Sequence, residues 1–181
     1  MAATLKTTID NFPEILSKNA SSLMQRIILK TKESLTDDSH LSNASACNFF
    51  LKTATKDLVS NFESILKSSL YEIKLKQASG KNDIFGLALS LTLDSEGDEE
   101  QLAIAKMKSM VLFEKLCAKG KENEISGVGT YDVKLFMNAM REAFHKSKFE
   151  DSELSSIFPH AIRALDSELI QLYEKLDCLE V

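Results

Sequence analysis

The sequence predicts an all-α protein, a helical bundle of about five helices with an irregular segment near residues 79–95. Three observations carry that prediction. The 181 residues include two prolines, six glycines and no tryptophan, while Leu, Lys, Ala, Glu and Ser abound, a composition poor in helix breakers and rich in helix formers. No proline or glycine interrupts the chain between Pro13 and Gly80. The last thirty residues carry Leu154, Phe158, Ala161, Leu165, Leu169, Leu172 and Leu176 at successive steps of three or four, the period of one helical face.

Taken in order, residues 1–11 are polar and small and can fray, and Pro13 suits the first turn of a helix capped by Asp10 or Asn11. Ile15, Leu16, Ala20, Leu23, Met24, Ile27 and Ile28 then mark one face, ending near Leu35, with Thr36 to His40 as the turn. A second helix is expected from Ser42 or Asn43, with the stripe Phe50, Ala54, Leu58, Phe62, Ile65, Leu66 and Ile73 and a candidate break at Ser68-Ser69. The short turn makes it antiparallel to the first.

Ser79 to Asp83 reads as a loop. The alternating leucines of Leu87 to Leu93 have the period of a strand, but a lone strand has no partner, so an extended segment over the bundle or the start of a helix is expected. Asp94 to Glu100 is acidic, suited to the positive end of a helix, with Ser95 or Asp98 as cap. That helix carries Leu102, Ala105, Met110, Val111 and Leu116 and stops near Gly120, with Lys115, Lys119 and Lys121 at its negative end. After a polar connection, Gly129 or Thr130 caps a helix whose stripe is Val133, Phe136, Met137, Met140 and Phe144. The final helix, widened by Ile162 and Tyr173, is too broad for a coiled-coil seam and belongs inside a globular core. Pro159 predicts a kink there, or a fresh start after a short turn over Ser152 to Phe158.

A chain of this length forms one domain, here residues 1–181, and buries roughly 70% of its unfolded surface without disulfides or metal. Eleven Lys and Arg face nine Asp and Glu over residues 1–90, a net +2, and eleven face eighteen over residues 91–181, a net −7. An acidic half without a basic cluster argues against nucleic acid and for a basic protein partner. Cys47, Cys117 and Cys178 are far apart and odd in number, and fit free buried thiols in a reducing compartment. The N-terminus has no secretory pattern and no run reaches the ~20 apolar residues of a membrane span, so a cytoplasmic protein is expected.

Catalytic and metal-binding patterns are missing from the sequence. Aligned as a calcium loop on Asp94, Glu96 and Asp98, the acidic run puts Glu99 at the required glycine and Ala105 at the required bidentate Glu. His40, His145 and His160 fall in different elements, and His145 is followed by Ser147 and Lys148 where a phosphotransfer domain needs Lys-Gly. Gly127-Val-Gly129 is only a loop, and no nucleophile elbow or dinucleotide fingerprint occurs. Neither enzyme activity nor a cofactor or metal is therefore expected.

The segments LSLTLDSEGDEEQLAIAKM, ISGVGTYDVKLFMNAMREAF and IRALDSELIQLYEKLDCLEV follow one another over residues 87–181. Their order is similar to that of a large bacterial family known only as a domain of unknown function, some members of which are labelled thymidine phosphorylase. This chain is much shorter, lacks an Asn-Pro turn before Thr130, and has no motif matching the phosphorylase label, so no functional residue carries over. The resemblance implies a bacterial, cytosolic, helical protein.

The expected function is a non-enzymatic interaction or regulatory protein that binds a protein partner through a helix face, with Phe136, Met137, Met140, Phe144, Glu168 and Tyr173 as the candidate surface. Two alternatives are a small acidic chaperone holding a client chain and a helical sensor. The sensor would line an apolar pocket with Phe136, Met137 and Met140 against Phe158 and Leu165. Homo-oligomers are compatible with the wide apolar stripes.

Overall fold

The computed structural model describes residues 2–37, 44–53, 55–78, 98–122 and 128–177. The described chain is all-α: α1 (Ala2–Asp37), α2 (Ala44–Lys52), α3 (Lys56–Ala78), α4 (Asp98–Ala105), α5 (Lys108–Glu122), a 3-10 turn at Val128–Tyr131, α6 (Val133–Lys146) and α7 (Asp151–Asp177). These seven α-helices exceed the expected five because two long apolar stripes are each divided. The expected extended segment of residues 79–95, the acidic start up to Gly97, His40 and Cys178 lie outside the described residues.

Helix α7 is the centre of the bundle, touching α1, α2, α4, α5 and α6. Ser156 to Ile162 is buried without interruption, so this part of the helix is enclosed on every side. Leu154, Phe158, Ala161, Ile162, Leu165, Leu169 and Tyr173 are all in the core, as the periodicity requires. Pro159 neither ends nor restarts the helix, which runs unbroken through it. The carbonyl that loses its intrahelical donor belongs to Ser155, four residues earlier and exposed as a residue.

Helix α1 likewise passes through Pro13 and starts at Ala2, so Pro13 is not its first turn. Phe12 anchors this stretch, with its ring 4.9 Å from that of Tyr131 in an edge-on contact. Helices α1 and α3 are antiparallel, as shown by the bond from Ser21 Oγ to Glu63 Oε2 and by Pro13 to Lys18 lying opposite Lys67 to Lys74.

The expected break at Ser68-Ser69 is absent, and the chain breaks at Thr53 instead. Thr53 Oγ1 and its amide both bond back to Phe49 O. Lys32 Nζ then donates to the freed carbonyls of Leu51 and Thr53 at 3.1 and 3.3 Å. A cation from α1 thus closes the carbonyl end of α2.

The second division is between α4 and α5. Asp166 of α7 accepts from the amides of Ser109 (2.8 Å) and Lys108 (3.2 Å), capping α5 from outside the local sequence. This cap rotates the buried face: Ala103, Met107, Phe113 and Leu116 are inside, whereas Leu102, Ala105 and Val111 are exposed.

Helix α6 is capped by Asp132 rather than Gly129 or Thr130, with its side chain accepting from Lys134 N. Its other end closes through Lys148 in the left-handed region (φ 69°), and Phe149 N donates to Phe144 O at 3.1 Å. That closure brings the Phe149 ring back within 5.2 Å of Phe144, which also contacts Phe50 and Phe158.

Candidate functional site

The expected partner surface is not a surface. Phe136, Met137, Met140 and Phe144 are buried in the core between α6 and its neighbours α3 and α7, and Glu168 and Tyr173 are buried as well. The physical reason is that an apolar helical stripe has the same sequence whether its partner is another protein or the chain's own helices. Tyr173 donates its hydroxyl to Tyr131 O at 2.8 Å, which fixes the 3-10 turn to α7. Burial, then the nearby Asp132 and Cys117, push the Tyr173 phenol well above its ordinary range.

Glu168 is also structural. Its side chain is 3% exposed, and Oε2 accepts from Arg26 Nε at 2.6 Å while Oε1 accepts from Lys30 Nζ at 2.7 Å. Burial pushes its carboxyl up, but the hydrogen bonds from Lys30 and Arg26 outweigh this and leave it below the usual range. A similar pair joins Arg141 to the buried Glu100, with the guanidinium stacked 4.3 Å from the Phe158 ring centroid.

The described histidines and cysteines lie on four different helices. His145 is exposed at the C-terminal end of α6, with Nε2 3.4 Å from Asp151 Oδ1. His160 is buried, and its Nδ1 lies 2.8 Å from Ser34 Oγ, yet neither residue lines the groove or the cavity described below. Cys47 is buried and Cys117 half-buried, and burial and then Asp132 push the Cys117 thiol up. Among the described residues no group of three or more His, Cys, Asp or Glu could hold a metal ion.

An apolar cavity does exist, but away from the expected sensor pocket. Phe12, Phe113, Leu116, Tyr131 and Tyr173 surround about 20 Å³, the space of about one water molecule. Phe136, Met137, Met140, Phe158 and Leu165 do not line it. This cavity is far below the roughly 300 Å³ that a ligand sensor would need.

An opening of useful size lies on the seam of α1 and α3. Pro13, Glu14, Ser17 and Lys18 face Lys67, Leu70, Tyr71 and Lys74 across an open groove of about 300 Å³. Leu70 forms a buried floor, whereas the Tyr71 side of the wall is 63% exposed and Leu75, one turn on, is 52% exposed. Lys67 is tied to Glu63 at 2.5 Å, and hydrogen bonds from Lys67 and then Ser21 hold the Glu63 carboxyl below its usual range. Lys18 and Lys74 have no carboxylate partner among the described residues.

The signal for this groove was present but illegible as an apolar stripe. Lys67, Leu70, Tyr71 and Lys74 fall at i, i+3, i+4 and i+7 on one face of α3, yet half of them are charged. A second cleft of about 190 Å³ lies between α4 and α7 beside Lys106 and Arg163. Its Asp166 already spends both carboxylate oxygens on the α5 cap.

Among the described residues no helix is long and apolar enough to cross a membrane. No protein-family model, curated protein or solved structure matches the chain.

Proposed function

We propose that this protein is a non-enzymatic interaction or regulatory protein that takes a segment of a partner protein into the α1–α3 groove. The observation that carries this reading is the groove itself, about 300 Å³ and open, with Tyr71 largely exposed on its wall. An exposed tyrosine beside an apolar floor offers a partner area to bury and a hydroxyl to bond, at the entropic cost of a stiff side chain. The same helices that build the groove are held from behind by the core, so the site is preformed. The apolar cavity around Phe12 and Tyr173, at about 20 Å³, is too small for an organic ligand and lends no support to a sensor.

The test is recovery of the tagged chain from its source cells, with wild type compared to Tyr71→Ala. A partner at fixed stoichiometry with wild type and depleted about tenfold with Tyr71→Ala supports the reading. Equal recovery with both variants, or no partner with either, overturns it.

A further inference from the structure

The charge around the groove specifies the chemistry of its occupant. Lys18 on one wall and Lys67 and Lys74 on the other face Glu14 alone among the lining residues. Glu63 compensates Lys67, which leaves the ammonium groups of Lys18 and Lys74, on opposite walls, unpaired among the described residues. Between them lies an apolar patch formed by Pro13, Leu70 and the exposed ring of Tyr71.

We infer that the groove binds a short acidic segment of a partner protein, in which one bulky apolar side chain is flanked by Asp or Glu residues. This rests on the interaction reading above and reverses the expectation of a basic partner. The anchor would cover Leu70 and Tyr71, and carboxylates on either side would reach Lys18 and Lys74. From Lys67 to Lys74 the wall spans eight residues, on the order of 10 Å of helix, enough for two turns of a bound helix or about three extended residues. A basic segment would meet the two unpaired ammonium groups of Lys18 and Lys74 at short range, and repulsion disfavours it. A nucleic acid would satisfy the cations but leaves the apolar floor uncovered.

The experiment is a titration of the uniformly nitrogen-15-labelled chain with three synthetic peptides, followed through backbone amide shifts. The first is Asp-Glu-Asp-Phe-Glu-Asp-Glu, the second replaces Phe by Ser, and the third replaces every acid by Lys. The expected result is saturable shifts at Ser17, Lys18, Tyr71 and Lys74 with the first peptide, and binding about fivefold weaker with the second. The double variant Lys18→Glu/Lys74→Glu is expected to weaken the first peptide about tenfold, and Lys18→Gln/Lys74→Gln about threefold. All four substitutions are at exposed positions, so the circular dichroism of both variants should match wild type.

Equal binding of the first two peptides would overturn the inference, because the cations would then attract charge without a seat for the anchor. Tighter binding of the Lys peptide at the same amides would overturn the acidic chemistry and leave the interaction reading standing. Tighter binding of a uridine pentanucleotide at those amides would overturn it in favour of nucleic acid. No groove shift with any probe would overturn the inference, whereas the interaction reading itself falls if Tyr71→Ala leaves partner recovery unchanged or if neither variant recovers a partner.

Discussion

Glu168 offers a demanding check on the claim that the acidic centre of α7 holds the fold rather than a partner. Its two carboxylate oxygens are each used once, by Arg26 at 2.6 Å and Lys30 at 2.7 Å. A charge-assisted hydrogen bond contributes about 1.5–3 kcal/mol, but the cation side chains are 52% and 34% exposed, so solvent screening reduces each to about 1 kcal/mol. Glu168→Gln should therefore destabilise by about 2 kcal/mol. Arg26→Ala or Lys30→Ala alone should cost about 1 kcal/mol, because the remaining cation still neutralises the carboxylate. The double variant leaves a buried carboxylate unpaired and should cost about 3–5 kcal/mol, a non-additivity of about 2 kcal/mol.

The pH dependence has a defined sign. Because the folded carboxyl lies below its ordinary value of 4.5, its contribution is complete above that pH and is lost as pH falls through the depressed folded value. In urea melts, the gap between wild type and Glu168→Gln should be constant near neutrality and shrink below about pH 4.5. Additive single variants, or a gap that widens in acid, would refute the reasoning.

Other consequences follow from the packing. Met137→Ala should cost about 2–5 kcal/mol in a urea melt, as for any fully buried methionine; a loss below about 0.5 kcal/mol would return that side chain to the surface. Asp166→Ala removes the cap of α5 and should cost about 1–2 kcal/mol, with hydrogen exchange accelerated first at Lys108 and Ser109. Lys148→Gly should stabilise by about 1 kcal/mol, measured by the urea midpoint, because a β-carbon at φ 69° is strained and glycine is not.

The fold class was legible because burial follows periodicity. Leu154, Phe158, Leu165 and Leu169 on α7, and Phe136, Met137 and Met140 on α6, are in the core where the three-four spacing puts them. What the spacing could not say was which surface covers the stripe, so the most apolar face of α6 could be taken for a docking surface although α3 and α7 already occupy it. The helix breaks were hidden for a different reason. Lys32 closes α2 and Asp166 opens α5 from far away in the chain, while the local residues at Thr53 and Met107 carry no proline or glycine. Conversely, Pro13 and Pro159 are strong local signals that the surrounding packing overrides.

The groove illustrates the same limit at the level of function. Its residues come from α1 and α3, about fifty positions apart, and they become one site only when Ser21 and Glu63 bring the helices together. Neither half is conspicuous alone: Pro13 looks like a helix start, and Tyr71 is one more aromatic residue. The net charge of −5 also concealed a local cluster of three lysines.

The central claim is that the α1–α3 groove is where a partner sits, and it is tested most directly by a photoreactive benzoylphenylalanine placed at position 71 and, separately, at the exposed position 29. Irradiation in the source cells should give one discrete adduct from position 71, mapped by peptide sequencing to an acidic segment, and none from position 29. Adducts of the same mass from both positions, or from position 29 alone, would contradict the account.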